Sequence, residues 1–205
     1  MTDLVSGRYG AYEPLWRLLG MPTNATQSDV PVRTNATVLG LSTLVDMTTT
    51  NTKKGPMVAV PVQEGDVFTK VACLIGAKEG AAGQAFFAVY SAPAAKTEGT
   101  LLGQTTFSEA AQVKSTIFTG TLESAILITS ANAPHGYVYA GLVVETATVP
   151  SEVGVEVPTV WSKTPWFTGC PEALSVEATQ KAAKVASATL ATETAIAKVP
   201  FIFLY

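Results

Sequence analysis

Residues 56–78, PMVAVPVQEGDVFTKVACLIGAK, read as a short apolar strand, a tight turn and a second, longer strand. The first strand, MVAVPV, is rich in β-branched side chains, which suit a pleated, half-buried surface. The turn QEGD places Gly65 where a positive φ is needed. From Val67 to Ile75 the chain alternates. Val67, Thr69, Val71, Cys73 and Ile75 fall on one face, and Phe68, Lys70, Ala72 and Leu74 on the other. The pair is expected to form one hairpin-like unit, the wall of a scaffold rather than the frame of an active site.

The same grammar continues outward. VLGLSTLV precedes this stretch, and QAFFAVYS, GTLLGQTTF, KSTIFTG and ESAILITS follow it as further strands. HGYVYAGLVVE sets Tyr137, Tyr139, Gly141 and Val143 against Val138, Ala140, Leu142 and Val144. Gly-rich KEGAAGQ reads as a hairpin loop. Short strands separated by frequent turn signals predict an all-β chain, an antiparallel sandwich of jelly-roll-like type, over residues 38–205. Within it, residues 146–170 are proline-rich and read as a loop–strand–loop crossing one end. Residues 171–195 are ambiguous: Ala, Glu, Lys and Gln favour a helix around 172–186, and Thr and Ser favour extended chain after that. The apolar ending, VPFIFLY, predicts a last core strand.

Residues 1–37 are different and are expected to form a docking arm and linker. YEPLWRLLG has Pro14 near a helix start and Gly20 as a stop, with Leu15, Leu18 and Leu19 on one face and Trp16 beside them. So short a helix does not stand alone in water and must dock on something. Tyr9, Tyr12, Leu15, Trp16, Leu18 and Leu19 are its candidate anchors. The following MPTNATQSDVPVRTNAT reads as an extended linker. Asn24 and Asn35 each sit in an N-x-T sequon, read here as chance matches.

Charged residues make up 14% of the 205 residues, against about 25% in ordinary domains. Such a surface suits a protein packed into an assembly. The net charge is −3 and there is no basic stripe with interleaved aromatics, so nucleic acid is not an expected partner. No secretory leader and no membrane-spanning stretch is read, which predicts synthesis in a cytoplasm and no membrane insertion.

Catalytic constellations are not found. GxGxxG, P-loop and GxSxG patterns are missing, and the single histidine, His135, lies at a strand entrance and reads as a turn residue. Cys73 is expected to be a buried free thiol, with a Cys73–Cys170 disulfide as the alternative. No metal site and no cofactor are expected. Glu145, Glu152 and Glu156 gather near one loop and read as solvated charges, with Ca²⁺ ligation as the weaker alternative. Trp161, Trp166 and Phe167 form an aromatic loop that either plugs the end of the sandwich, contacts another subunit or stacks on a ligand.

MVAVPVQEGDVFTKVACLIG, QAFFAVYSA, GTLLGQTT and HGYVYAGLVV together resemble a recurrent layout in β-sandwich structural proteins of tailed phages that infect actinobacteria; the terminal VPFIFLY fits as well. The resemblance covers residues 55–145 and 196–205 and carries no catalytic residue. It implies a non-enzymatic virion protein, made in the host cytoplasm. The first expectation is a minor tail protein that docks by its arm and displays loops for host attachment. Its partners would be other virion proteins, further copies of itself (a trimer being favoured) and a host cell-surface glycan. A capsid decoration protein that stabilises the head is the alternative within the virion. A free carbohydrate-binding module is the alternative outside it.

Overall fold

The computed structural model describes residues 33–35, 45–48, 54–91, 99–146, 148–156, 175–179, 187–188 and 198–205. All the regular structure in these residues is β, and every paired strand is antiparallel. The strands are β1 (Arg33–Thr34), β2 (Val45–Thr48), β3 (Lys54–Pro61), β4 (Val67–Leu74), β5 (Gly83–Ser91), β6 (Gly99–Gln104), β7 (Ile117–Leu127), β8 (Tyr137–Thr146), β9 (Ser151–Glu156), β10 (Ser175–Thr179), β11 (Ser187–Ala188), β12 (Lys198–Pro200) and β13 (Ile202–Leu204). They form a six-stranded sheet in the order β10-β3-β8-β5-β6-β11, a four-stranded sheet β1-β13-β4-β7 and a three-stranded sheet β12-β9-β2.

β3 and β4 do not pair with each other. β3 lies between β10 and β8, whereas β4 lies between β13 and β7 in the other sheet. The QEGD turn is therefore a crossover between sheets, which corrects the hairpin reading. Gly65 does take φ +89°. Its N–H donates to Ile128 O, and Ile128 N–H donates back to Asp66 O, so the turn, closed by Asp66 N–H donating to Gln63 O, is also stitched to the end of β7. KEGAAGQ likewise links β4 to β5 across sheets and is no hairpin loop.

One apolar cluster joins the sheets in a sandwich-like arrangement. Val58, Val60, Phe87, Val89, Val138, Ala140, Leu142 and Val144 from the six-stranded sheet meet Phe68, Val71, Cys73, Leu122, Ile126, Ile202 and Leu204 from the four-stranded one. The opposite face of the six-stranded sheet is apolar too: Met57, Ala59, Phe86, Ala88, Tyr90, Tyr139 and Val143 form a second buried cluster. The alternation read in β8 is borne out residue by residue. Because β3, β5 and β8 are covered on both faces, residues 55–61, 83–91 and 137–144 carry no charge at all. Part of the chain's charge deficit thus has an intramolecular cause: an unpaired charge in these strands would be buried at high cost.

β4 departs from strict alternation. Phe68 pairs with Ile126 and Lys70 with Thr121, so Thr69 alone faces residues 122–125 of β7. This bulge turns Phe68 to the same side as Val71 and Cys73, leaves Val67 exposed, and makes one bulged strand of KSTIFTG and ESAILITS, which had read as two. Residues 175–179, inside the segment with helix-favouring composition, are strand β10 in full register with β3, from Ser175↔Val58 to Thr179↔Lys54. An open sheet edge offers backbone partners, and that outweighs weak helix propensity.

Gly141 permits a close approach that any side chain would block. The β3–β8 ladder stops at Val58↔Ala140. Beyond it the Pro56 carbonyl lies over Gly141, where an added Cβ would collide with that oxygen. Gly141→Ala should cost roughly 2–3 kcal/mol, because the obstacle is backbone that cannot swing aside. Urea unfolding measures this; a loss within error of zero would mean that the approach relaxes freely.

Candidate functional site: the arm anchor

Residues 33–35, inside the segment 1–37 read as arm and linker, are built into the module. β1 pairs with β13, Arg33↔Leu204 and Thr34↔Phe203. Two residues of backbone pairing are a weak hold, so the attachment is made by side chains. Arg33 Nε donates to Asp66 Oδ2 at 2.7 Å, and Nη2 donates to Oδ1 at 2.9 Å. Nη2 also reaches Gln63 Oε1 at 3.0 Å. The guanidinium fork matches the carboxylate bidentately. Both side chains are almost fully buried. Asp66 is fixed in turn by the turn itself: Gln63 N–H donates to Oδ2 at 2.8 Å.

Asn35 makes the second clamp. Its Nδ2 donates to Pro200 O at 2.7 Å, and its Oδ1 accepts from Ile202 N–H at 2.9 Å. It thereby bridges Phe201, the residue that separates β12 from β13. With its amide buried and bonded at both ends, Asn35 is closed to glycosylation, in line with its sequon being a chance match. Asn35→Ala would leave a buried donor and acceptor unmet and should cost about 2 kcal/mol, read as a fall in the urea midpoint. An unchanged midpoint would mean that water replaces the amide.

The clamp lies at one end of the sheets with the loop that precedes β8. Val62 N–H donates to Gly136 O and Gly65 N–H to Ile128 O. Ser130 N–H reaches Glu64 Oε1 at 3.3 Å. From this loop an aromatic ladder climbs onto the outer face of the six-stranded sheet. His135 is exposed and stacks on Tyr137 (centroids 6.2 Å apart, planes at 21°). Half-buried Tyr137 meets Tyr139 edge-on at 5.8 Å. His135 is thus a turn residue that supports an aromatic surface.

Sequence reasoning missed Arg33, Asp66 and Asn35, which read as linker and turn polar residues. It also misjudged Glu152. That side chain is buried, not solvated, with Oε2 unpartnered. Burial pushes its carboxyl from the usual 4.5 up to about 8. Cys73 is a buried free thiol, as expected; burial first, and then the neighbouring Glu152, hold it well above its ordinary range. Among the described residues no group of His, Cys, Asp and Glu is arranged to hold a metal ion. The side chains of Glu145 and Glu156 lie outside the described ones, as do Tyr9, Tyr12, Leu15, Trp16, Leu18, Leu19, Trp161, Trp166, Phe167 and Cys170. Among the described residues no helix is long and apolar enough to cross a membrane. Neither a protein-family model nor a curated protein matches the chain.

Proposed function

We propose that this chain is a non-enzymatic structural protein of a bacteriophage virion, a minor tail protein that docks by its N-terminal arm and displays loops for host attachment. The observation that carries the reading is the Arg33–Asp66 clamp. It ties the base of the proposed arm to β13 and to the turn before β4, so that a load on the arm would pass to the four-stranded sheet instead of to a loose linker. The strand order supports the finer assignment of a jelly roll: β1-β13-β4-β7 stacks against β3-β8-β5-β6, with the chain passing between layers at β3–β4, β4–β5, β6–β7 and β7–β8. The His135–Tyr137 ladder offers flat rings of the kind that stack on sugars.

The clamp dictates how the arm must be tested. Removing residues 1–37 would delete Arg33 and Asn35 and destabilise the module itself. Removing residues 1–31 spares both. The shorter deletion should keep the urea midpoint of the full chain and fail to join particles when it replaces the full chain during infection. Normal incorporation would sink the docking role of the arm. A full-length chain that never co-purifies with particles would sink the virion reading. The position of the protein's density, at the tail or over the head, separates a tail protein from a capsid decoration protein.

A further inference from the structure

Glu152 sits where the four-stranded and three-stranded sheets meet. It forms a single antiparallel bridge with Ile75, one residue past the end of β4. Residues on either side complete the seam: Gly76 N–H donates to Ser151 O, Ser151 N–H to Lys78 O, and Lys78 N–H to Ser151 Oγ at 2.9 Å. Farther along, Ala81 N–H donates to Thr148 O. The carboxyl of Glu152 is buried against this seam, with one oxygen lacking a hydrogen-bond partner among the described residues. A neutral carboxylic acid tolerates such a place; a carboxylate does not, because burial strips its charge of solvent and no cation among the described side chains offsets the loss.

The groups that face Glu152 add no relief. On β4 the titratable neighbour is Cys73, whose thiolate would repel the carboxylate. Lys78 and Glu79, in the loop that follows, have exposed side chains. On β2, Met47 is the register partner of Glu152, with Asp46 beside it in sequence; on β12, Lys198 is opposite Glu156 at the far end of β9. Among the described side chains, no cation offsets the effect of burial on Glu152.

We infer that the β4–β9 seam is a proton-operated latch: it is closed while Glu152 is neutral, and ionisation of Glu152 parts Ile75–Lys78 from Ser151–Glu152 and opens a path to Cys73. The device binds a proton to tighten the junction of the sheets, and releases it to loosen that junction without unfolding the rest. It does not depend on the virion reading.

Cys73 serves as the reporter. In a full-length chain carrying Cys170→Ser, it is the sole thiol, and its reaction with an aromatic disulfide reagent can be followed between about pH 6 and pH 9. Glu152→Gln provides the reference at each pH, which cancels the reagent's own pH dependence. The expected result is a rate for the Glu152 chain, relative to Glu152→Gln, that rises with pH and levels off above about pH 8. Across one pH unit below that point the rise should be about tenfold, because there each unit multiplies the ratio of ionised to neutral carboxyl about tenfold. Equal rates throughout would overturn the latch. Should Glu152→Gln not fold, amide exchange at Gly76, Lys78 and Ser151 in the Glu152-containing chain decides the matter. The latch requires their opening, corrected for intrinsic exchange, to rise with pH and to stay well above that of β8 throughout; opening no more frequent than that of β8 would mean that the seam parts only with the whole fold and would overturn it.

Discussion

Arg33→Ala lowers the stability of the module by about 3–5 kcal/mol, the range for breaking a buried ion pair from one side. The loss does not come chiefly from the attraction between the partners. It comes from Asp66, left as a carboxylate nearly without solvent and with only the Gln63 N–H to satisfy it. Asp66→Ala should cost a similar amount, by stranding the guanidinium. Arg33→Lys should recover only part of the loss, because a single ammonium cannot fill two carboxylate oxygens and the Gln63 amide together. Replacing both partners by apolar residues of similar size, Arg33→Met with Asp66→Leu, should restore much of the stability. Urea unfolding of the four variants measures all of this. If Arg33→Ala costs under about 1 kcal/mol, the pair behaves as an exposed surface bridge and the arm is not anchored through it.

Glu152→Gln raises stability at neutral and alkaline pH and flattens its dependence on pH. The sign follows from the direction of the shift. The folded-state value, about 8, lies above the ordinary 4.5, so across this window the folded chain holds a proton that the unfolded chain has given up. The stability contributed by that proton is complete below pH 4.5, is lost progressively as pH rises, and is gone above about pH 8. At ~1.4 kcal/mol per pH unit the loss across the window is on the order of 5 kcal/mol. Glutamine keeps the shape and cannot ionise, so its curve should lack this fall. Unfolding free energies at about pH 5, 7 and 9 for both chains check it. Parallel curves would mean that the Glu152 carboxyl reaches water in solution. This global measurement is separate from the latch, which concerns where the chain opens first.

Much of the architecture was written locally. Residues 137–144 alternate between two apolar sets, and each set has its own core to enter, so the pattern fixes the strand and both of its faces. Gly65 was legible because left-handed backbone has few residues to choose from. The apolar end of the chain was legible as a core strand because such a run is costly to leave in water.

Other features had no local signature. The QEGD turn suits a hairpin and a crossover equally, and only the partners of each strand, β8 for β3 and β7 for β4, decide between them. The face of Phe68 depends on a bulge set by the pairing of two strands. Residues 175–179 follow the edge of β3 rather than their own propensity. The anchor needs Arg33 and Asp66, which are 33 positions apart; neither is remarkable in its own sequence neighbourhood. The same holds for Glu152, an acid among ordinary acids until β9 carries it under the end of β4. Sequence alone determined the clearly patterned strands β3, β4, β5 and β8, because side-chain alternation and turn chemistry act within a few residues. Tertiary structure alone decided which strands pair and which polar groups are buried, because hydrogen-bond partners and solvent access are set by residues distant in the chain.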